Sequence, residues 1–167
     1  MNTKEDIINK LNLEPHPEGG YFKEVYRAEG EIDSSSLTKD YKGKRNYSTS
    51  IYFLLTSDSF SAFHRIKQDE IWHFYDGSPI LLHVINEKGE HSQIIIGRDL
   101  LAGHHPQYVV PGGCWFATEV INENDFSFVG CTVSPGFSFE DFELRSEEYL
   151  TSLFPHNKEV ISKLTHH

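Results

Sequence analysis

The chain has 167 residues, a length that suits one domain with a single hydrophobic core. Hydrophobic residues make up 38% of it and aromatic residues 13%, which excludes a disordered chain. Its formal net charge of -10 disfavours binding to nucleic-acid phosphates or to an anionic membrane surface. We therefore expect neither partner. We interpret the basic residues Lys39, Lys42, Lys44 and Arg45 as part of a solvated loop.

The compartment is predicted from two absences. Residues 1–6 contain no apolar run of signal-peptide length, and no segment approaches the ~18 apolar residues that span a bilayer. Cys114 and Cys131 do not form a CxxC pair, and we interpret them as reduced core thiols. These features predict a cytoplasmic protein.

The N-terminal segment, residues 1–20, predicts a short helix followed by an arm. Thr3 and Asp6 have the spacing of a capping box at the start of this helix. An apolar stripe follows at Ile7, Ile8 and Leu11. Two prolines and the turn Glu18-Gly19-Gly20 then end it.

Residues 21–144 carry short strands separated by turn signals. We predict strands over 21–27, 47–55, 59–66, 70–75, 80–85, 93–96, 107–110, 114–120 and 126–134. No βαβ alternation and no glycine-rich phosphate loop is present. The pattern predicts an all-β sandwich or small barrel. The exposed loop 29–45 is expected to be either a lid or disordered.

The C-terminal segment, residues 145–167, predicts two short helices outside the β core. Ser146 is a cap for the first helix, Pro155 breaks it, and Asn157 restarts the second. No internal repeat or second domain is indicated, so we expect one domain over residues 1–167.

One histidine and one carboxylate are expected inside the sandwich. Side chains alternate along a strand, so His64 shares a face with Ala62 and Ile66. Glu70 shares a face with Trp72 on the next strand, across a polar turn. If both faces point inward, the pair could titrate near neutral pH and act as acid and base. The alternative is a hydrogen-bonded core histidine with a carboxylate at a strand start.

The spacing of these residues resembles the two motifs of the cupin superfamily. His64, Glu70 and Gly77 match the first motif, but Ile66 stands where its second histidine belongs. Pro111 and Gly113 match the second motif. In that motif Phe116 replaces the histidine and Val120 replaces the asparagine.

Longer blocks resemble one cupin-like family, long described as a domain of unknown function. They are residues 13–22, 51–55, 63–65, 70–74, 110–116, 134–137 and 140–143. The resemblance implies a jelly-roll β-sandwich that usually dimerises. Members of the family have been compared, on fold, with sugar-nucleotide epimerases of the cupin superfamily, which is a weak guide to activity.

A bound metal is not expected, because a stable transition-metal site needs three or four suitable ligands. The motif supplies His64 and Glu70, which would be the ligands if a metal is present. Ile66 and Phe116 make the cavity more apolar and favour an organic small-molecule ligand. The side chains predicted to contact that ligand are Trp72, His73, Trp115, Phe116, Phe137 and Glu140.

Three functions follow from this pattern. The leading hypothesis is a metal-independent isomerase or epimerase acting on a sugar-like or other polar metabolite, with His64 as general base and Glu70 orienting it or donating the proton. One alternative is a small-ligand-binding cupin without catalysis. The other is a metal-dependent cupin of the dioxygenase type. Arg27 and Arg45 could hold a phosphate or carboxylate, but we expect them in surface salt bridges.

Overall fold

Antiparallel strands form most of the chain, and a computed structural model describes residues 2–166. The strands are β1 (Glu14–Pro15), β2 (Tyr21–Arg27), β3 (Glu31–Ile32), β4 (Arg45–Asn46), β5 (Thr49–Thr56), β6 (Phe60–Arg65), β7 (Asp69–Gly77), β8 (Ile80–Ile85), β9 (His91–Ile96), β10 (Gln107–Val110), β11 (Trp115–Val120), β12 (Phe126–Ser134) and β13 (Glu143–Leu144). The helices are α1 (Lys4–Leu11), α2 (Glu147–Leu153) and α3 (Lys158–Lys163). The prediction of an all-β fold with short terminal helices is confirmed.

Two sheets form the sandwich. One has six strands in the order β1-β2-β5-β12-β7-β10, and the other has five in the order β13-β6-β11-β8-β9. The main hydrophobic core lies between them and includes Phe53, Trp72, Val84, Phe116 and Val129. Each of these side chains is at most 6% exposed, so the middle of the sandwich is closed to solvent.

Helices cover parts of both outer faces. Ile7 of α1 packs on Leu54 on the outside of the six-stranded sheet. The predicted capping box of α1 is present, since Thr3 and Asp6 each accept a backbone N–H of the other. Leu150 of α2 and Ile161 of α3 pack against the outside of the five-stranded sheet. No helix within residues 2–166 is long and apolar enough to cross a membrane.

A bulge in β6 changes which side chains face the interior. Phe116 of β11 pairs with His64, but Thr118 pairs with Ser61, so β6 carries one more residue than its partner between these pairs. Ser61 therefore shares the inward face with His64, in place of the predicted Ala62. Strict alternation made that assignment wrong, because one extra residue reverses the parity of the strand.

The loop predicted over 29–45 contains β3 and the first residue of β4, and it is tied to the sandwich. Its last residue, Arg45, is 6% exposed, and its guanidinium donates two hydrogen bonds of 2.8 Å to the Asp141 carboxylate. Gln68 donates to the same carboxylate at 2.9 Å. The expectation of a surface salt bridge at Arg45 was wrong, because the bulk of the sandwich covers both partners.

Candidate functional site

A cavity of about 590 Å³ opens at one end of the sandwich. Its walls come from β2, β5, β6, β7 and β12, from the turn that contains Glu18, and from the segment 137–142. His64 and Glu70, the two residues expected to meet inside the sandwich, both line it. The volume is typical of pockets that take small metabolites.

His64 lies on β6, and both of its ring nitrogens face oxygen atoms. Nδ1 is 2.7 Å from the carbonyl oxygen of Ala62, and Nε2 is 2.7 Å from Oε2 of Glu18. A carbonyl oxygen only accepts hydrogen bonds, and so does an ionised carboxylate. Both nitrogens therefore donate, and His64 is a buried imidazolium.

The pKa shifts of His64 and Glu18 agree with this ion pair. Burial by itself lowers the pKa of His64, but the Glu18 carboxylate and its hydrogen bond outweigh burial, so the pKa is raised. Burial raises the pKa of Glu18, but the charge and hydrogen bond of His64 reverse this, so the pKa of Glu18 is lowered. Ser61, turned inward by the bulge in β6, also lowers the pKa of Glu18.

Glu70 is a further carboxyl group of the cavity, close to the His64–Glu18 pair, and no basic side chain within residues 2–166 forms an ion pair with it. Burial and the nearby Glu18 carboxylate raise the pKa of Glu70 from 4.5 to about 7, and the charge of His64 offsets only part of this. The thiol of Cys131 and the indole of Trp72 also favour the ionised form. Glu70 therefore changes protonation close to neutral pH, which suits a general acid or base.

His16 brings a second imidazole to the cavity from the arm before β2. The backbone N–H of Glu18 donates to Nδ1 of His16 at 3.2 Å, so Nδ1 carries no proton. Burial lowers the pKa of His16 and thereby favours the neutral ring. The proton is then on Nε2, which has no hydrogen-bond partner among residues 2–166. His16 is a neutral donor at the cavity wall.

The basic side chains at the cavity mouth are already paired with carboxylates. The pairs, with their shortest nitrogen–oxygen distances, are Arg27–Glu24 (2.6 Å), Lys44–Glu31 (2.5 Å) and Arg45–Asp141 (2.8 Å). Arg27 also donates to Asn46 and to the carbonyl of Phe137. The mouth is therefore polar but close to electrically neutral.

The residues predicted to contact a ligand fall into two groups. Phe137 and Glu140 line the cavity. Phe116 lies behind it, with its ring centroid 4.1 Å from that of His64. Trp72 is 1% exposed in the core, and its indole N–H has no hydrogen-bond partner in the described chain although it lies beside Glu70.

Trp115 and His73 lie away from the cavity. Trp115 belongs to the cluster under the C-terminal helices, and Arg65 stacks on its ring at 4.9 Å. His73 is on the outer face of the six-stranded sheet, where its Nε2 is 3.3 Å from the Thr132 hydroxyl. Neither residue lines the cavity.

Glu18 and His16 are the site residues that sequence reasoning missed. The block 13–22 is rich in titratable residues, and this richness could have pointed to them. The block served only as part of the family resemblance. Strand periodicity could not find them, because both lie in a turn outside the regular strands.

The donor set at the position of the cupin metal does not fit a transition metal. Among residues 2–166, no three His, Cys, Asp or Glu side chains converge as metal ligands. Nε2 of His64 already faces Glu18, and Ile66 and Phe116 occupy the positions of two further motif ligands. We derive no chemistry from a metal here.

Comparison with known proteins settles the family. A family model described as the cupin superfamily (DUF985) matches residues 5–145. The chain belongs to this cupin family. It is 32% identical over 162 residues to an uncharacterized protein of Saccharomyces cerevisiae, and the match covers 91% of this chain and 80% of that protein.

Solved structures confirm the cupin fold. A protein from Shewanella oneidensis is 42% identical, with a TM-score of 0.89 and 99% of each chain covered. A hypothetical protein from Leishmania major is 35% identical, with a TM-score of 0.91, covering 99% of this chain and 100% of that one. Oxalate decarboxylase from Bacillus subtilis is 17% identical, with a TM-score of 0.54, and covers 90% of this chain and 36% of that one, so this likeness shows the fold alone.

Proposed function

We propose that this cupin binds a small polar metabolite, removes a proton from it and returns a proton to it. The reaction is an isomerisation or epimerisation that needs no metal. The observation that carries the proposal is Glu70, a carboxyl group with a pKa of about 7 in the wall of a metabolite-sized cavity. A group that titrates near the working pH is efficient both as base and as acid. Glu70 therefore takes the proton from the ligand and returns it.

The proposal keeps both residues expected from the sequence and exchanges their roles. Both nitrogens of His64 donate to fixed acceptors, so the ring has no free lone pair for a substrate proton. His64 instead holds Glu18 in place and contributes a fixed positive charge near Glu70. Glu70 becomes the proton carrier, and the His64–Glu18 ion pair sets its environment.

Solvent exchange tests the proposal across many candidate substrates at once. The protein is incubated in D2O with a library of small polar metabolites, and deuterium uptake is read by mass spectrometry. We expect wild type to label at least one compound and Glu70→Gln to lose about 10²-fold or more of that rate, the usual contribution of a general base. The exposed His156→Gln variant serves as the matched control and keeps the wild-type rate.

The competing hypothesis of a binding protein without catalysis predicts a different result. In that case, compounds bind to wild type and no binder acquires deuterium above the uncatalysed rate. A Glu70→Gln variant that labels as fast as wild type would also contradict the proposed role of Glu70.

We also propose that the protein is a homodimer, which the family resemblance implies. Support comes from the outer face of the six-stranded sheet, where Tyr26, Tyr75 and Val109 are 56%, 47% and 45% exposed. Exposed apolar side chains grouped on one sheet face are typical of protein–protein contacts. The cytoplasmic location expected from the sequence stays a prediction.

A further inference from the structure

The cavity wall formed by residues 2–166 offers no uncommitted positive charge. Each basic side chain at the mouth has a carboxylate partner, and His64 has Glu18. Glu70 adds a further carboxyl group at the inner wall. An anionic ligand would have to approach Glu70 without a counter-charge, which is costly in a partly buried site. The charge arrangement therefore favours an uncharged ligand.

His16 gives the cavity a hydrogen-bond donor of fixed orientation. Its Nδ1 is held by the backbone N–H of Glu18, and its Nε2–H has no partner in the described chain. The side chain is 6% exposed, although the ring lines the cavity. This N–H is open to the cavity, so a ligand or water there can accept from it. The natural complement of a neutral N–H is a neutral acceptor such as a carbonyl oxygen.

Aromatic rings surround this donor. The centroid of Phe22 is 4.7 Å from that of His16, and the centroids of Phe142 and Phe139 are at 6.0 and 6.2 Å. All three phenylalanines line the cavity. Aromatic walls of this kind pack well against the flat face of a ring.

We propose that the cavity takes an uncharged, ring-bearing carbonyl compound whose carbonyl oxygen accepts a hydrogen bond from Nε2–H of His16. The inference names the substrate class of the proposed function and rests on it, because Glu70 is the group that would act beside the bound carbonyl. An amide, ketone or lactone has the required chemistry.

The proton transfer at such a ligand balances without a co-reactant. The Glu70 carboxylate takes a proton from the carbon next to the carbonyl, and that C–H bond breaks. Its electron pair forms a carbon–carbon double bond while the carbonyl π pair moves onto oxygen, where His16 donates its hydrogen bond. In a ligand with a carbon–carbon double bond next to that carbon, the electron pair extends over both double bonds, and Glu70 returns the proton to the far carbon, so that the double bond shifts by one position. The products are an isomer and unchanged protein.

Benzamide and benzoate test the ligand class directly, because they share size and shape and differ in charge. Binding is followed at pH 8 by the imidazole ¹⁵N–¹H resonances of protein labelled at histidine. We expect benzamide to shift the Nε2 resonance of His16 with a dissociation constant on the order of 1 mM, typical of a ligand of this size. We expect the dissociation constant of benzoate to be at least about tenfold higher than that of benzamide.

Two variants at position 16 separate recognition from folding. His16→Phe keeps a flat ring without the donor and should weaken benzamide binding about tenfold, the effect of one lost hydrogen bond. His16→Gln retains an N–H donor and should recover part of the affinity. Equal or tighter binding of benzoate, benzamide affinity unchanged in His16→Phe, or no binding of benzamide at 50 mM (roughly fifty times the expected constant) each overturns the inference.

The measurement is independent of catalysis. Benzamide has no hydrogen on the carbon next to its carbonyl, so its binding to wild type does not require proton transfer by Glu70. Benzamide binding without any deuterium labelling in the metabolite screen contradicts the proposed function alone. Labelling that depends on Glu70, without benzamide binding, contradicts the carbonyl inference alone.

Discussion

Glu70 sets the pH dependence that is expected of any proton transfer in this cavity. Its pKa is raised to about 7 by burial and by the nearby Glu18 carboxylate. As the base, it must be ionised before the ligand binds, so kcat/KM should rise through pH 7 and level off above it. Initial rates of deuterium uptake between pH 5 and 9 measure this. A rate that is flat across this range would contradict the assignment.

The same ionisation affects the free energy of unfolding. Because the folded-state pKa of Glu70 lies above its ordinary value of 4.5, the folded protein binds the proton more tightly than the unfolded chain. Stability associated with Glu70 is therefore lost between pH 4.5 and about 7, by up to about 3 kcal/mol. Glu70→Gln lacks this loss, so its stability relative to wild type should increase from pH 5 to pH 8. Urea denaturation at both values measures the difference.

Removing one partner of the His64–Glu18 pair leaves the other buried and unpaired. We expect Glu18→Gln to lower the free energy of unfolding by about 3 kcal/mol. The double variant Glu18→Gln, His64→Gln should lose less than the sum of the two single losses. Arg98→Gln, in the exposed pair Arg98–Asp76, is the control and should change stability by about 1 kcal/mol or less.

The pH dependence of this pair follows from its two pKa shifts. The lowered pKa of Glu18 gives stability above its ordinary value, and this is lost as the pH falls through the folded-state value. The raised pKa of His64 gives stability below 6.5, and this is lost as the pH rises through the folded-state value. The pair should therefore stabilise the protein most between these limits. Additive losses in the double variant would contradict the coupling.

The sequence predicted two of the four titratable residues that form the centre of the site. His64 and Glu70 lie on regular strands, where alternation and motif spacing place them in the interior. Glu18 and His16 reach the cavity through a turn, and the contact of Glu18 with His64 joins residues 46 positions apart. No local pattern encodes such a contact. The roles of His64 and Glu70 also depend on Glu18, so they could not be assigned correctly without it.

Arg45 and Asp141 connect elements that are distant in the chain. Their ion pair ties β4 to the turn before β13, and both segments contribute residues to the cavity mouth. Arg45→Met leaves the buried Asp141 carboxylate without its main partner, so we expect a loss of about 3–5 kcal/mol in unfolding free energy. Amide hydrogen exchange should also speed up over residues 31–46 and 139–141.

Lys44→Met is the matched control for this variant. Lys44 is adjacent in sequence, but its salt bridge with Glu31 is exposed, so its loss should change stability by about 1 kcal/mol or less. Similar exchange rates in the two variants would show that the Arg45–Asp141 pair does not hold these segments together.

Element prediction succeeded where strands were long enough to show a period. The strands Tyr21–Arg27, Ile80–Ile85, Gln107–Val110 and Phe126–Ser134 have the predicted bounds. The two-residue strands β1, β3, β4 and β13 were missed, because two residues carry no periodicity. The bulge in β6 was missed for a related reason, since it depends on pairing with β11.

The proposed homodimer can be tested through the outer face of the six-stranded sheet. If two copies associate through it, sedimentation should give about twice the chain mass of 19.2 kDa. A charge in an apolar interface is strongly unfavourable, so Tyr75→Lys should shift the protein toward monomer. Leu101→Lys, at a fully exposed loop position, is the control and should leave the mass unchanged. A wild-type protein that sediments as a monomer would contradict the proposed dimer.

The overall fold was the most predictable level, and the family model and solved relatives agree with it. Many short strands with turns between them restrict the chain to a few architectures. The resemblance of several separated blocks then selects one of them. Function is less predictable, because it depends on a few side chains that a shared fold does not fix.

The backbone of Glu18 has a practical consequence for handling the protein. Its carbonyl oxygen accepts from the N–H of Ala62 at 2.7 Å and lies 2.9 Å from Nε2 of His166, so residue 166 contacts the segment that carries the carboxylate. A polyhistidine tag fused at the carboxyl terminus starts next to this contact. Assays and metal analyses are therefore best carried out with a cleavable tag at the amino terminus.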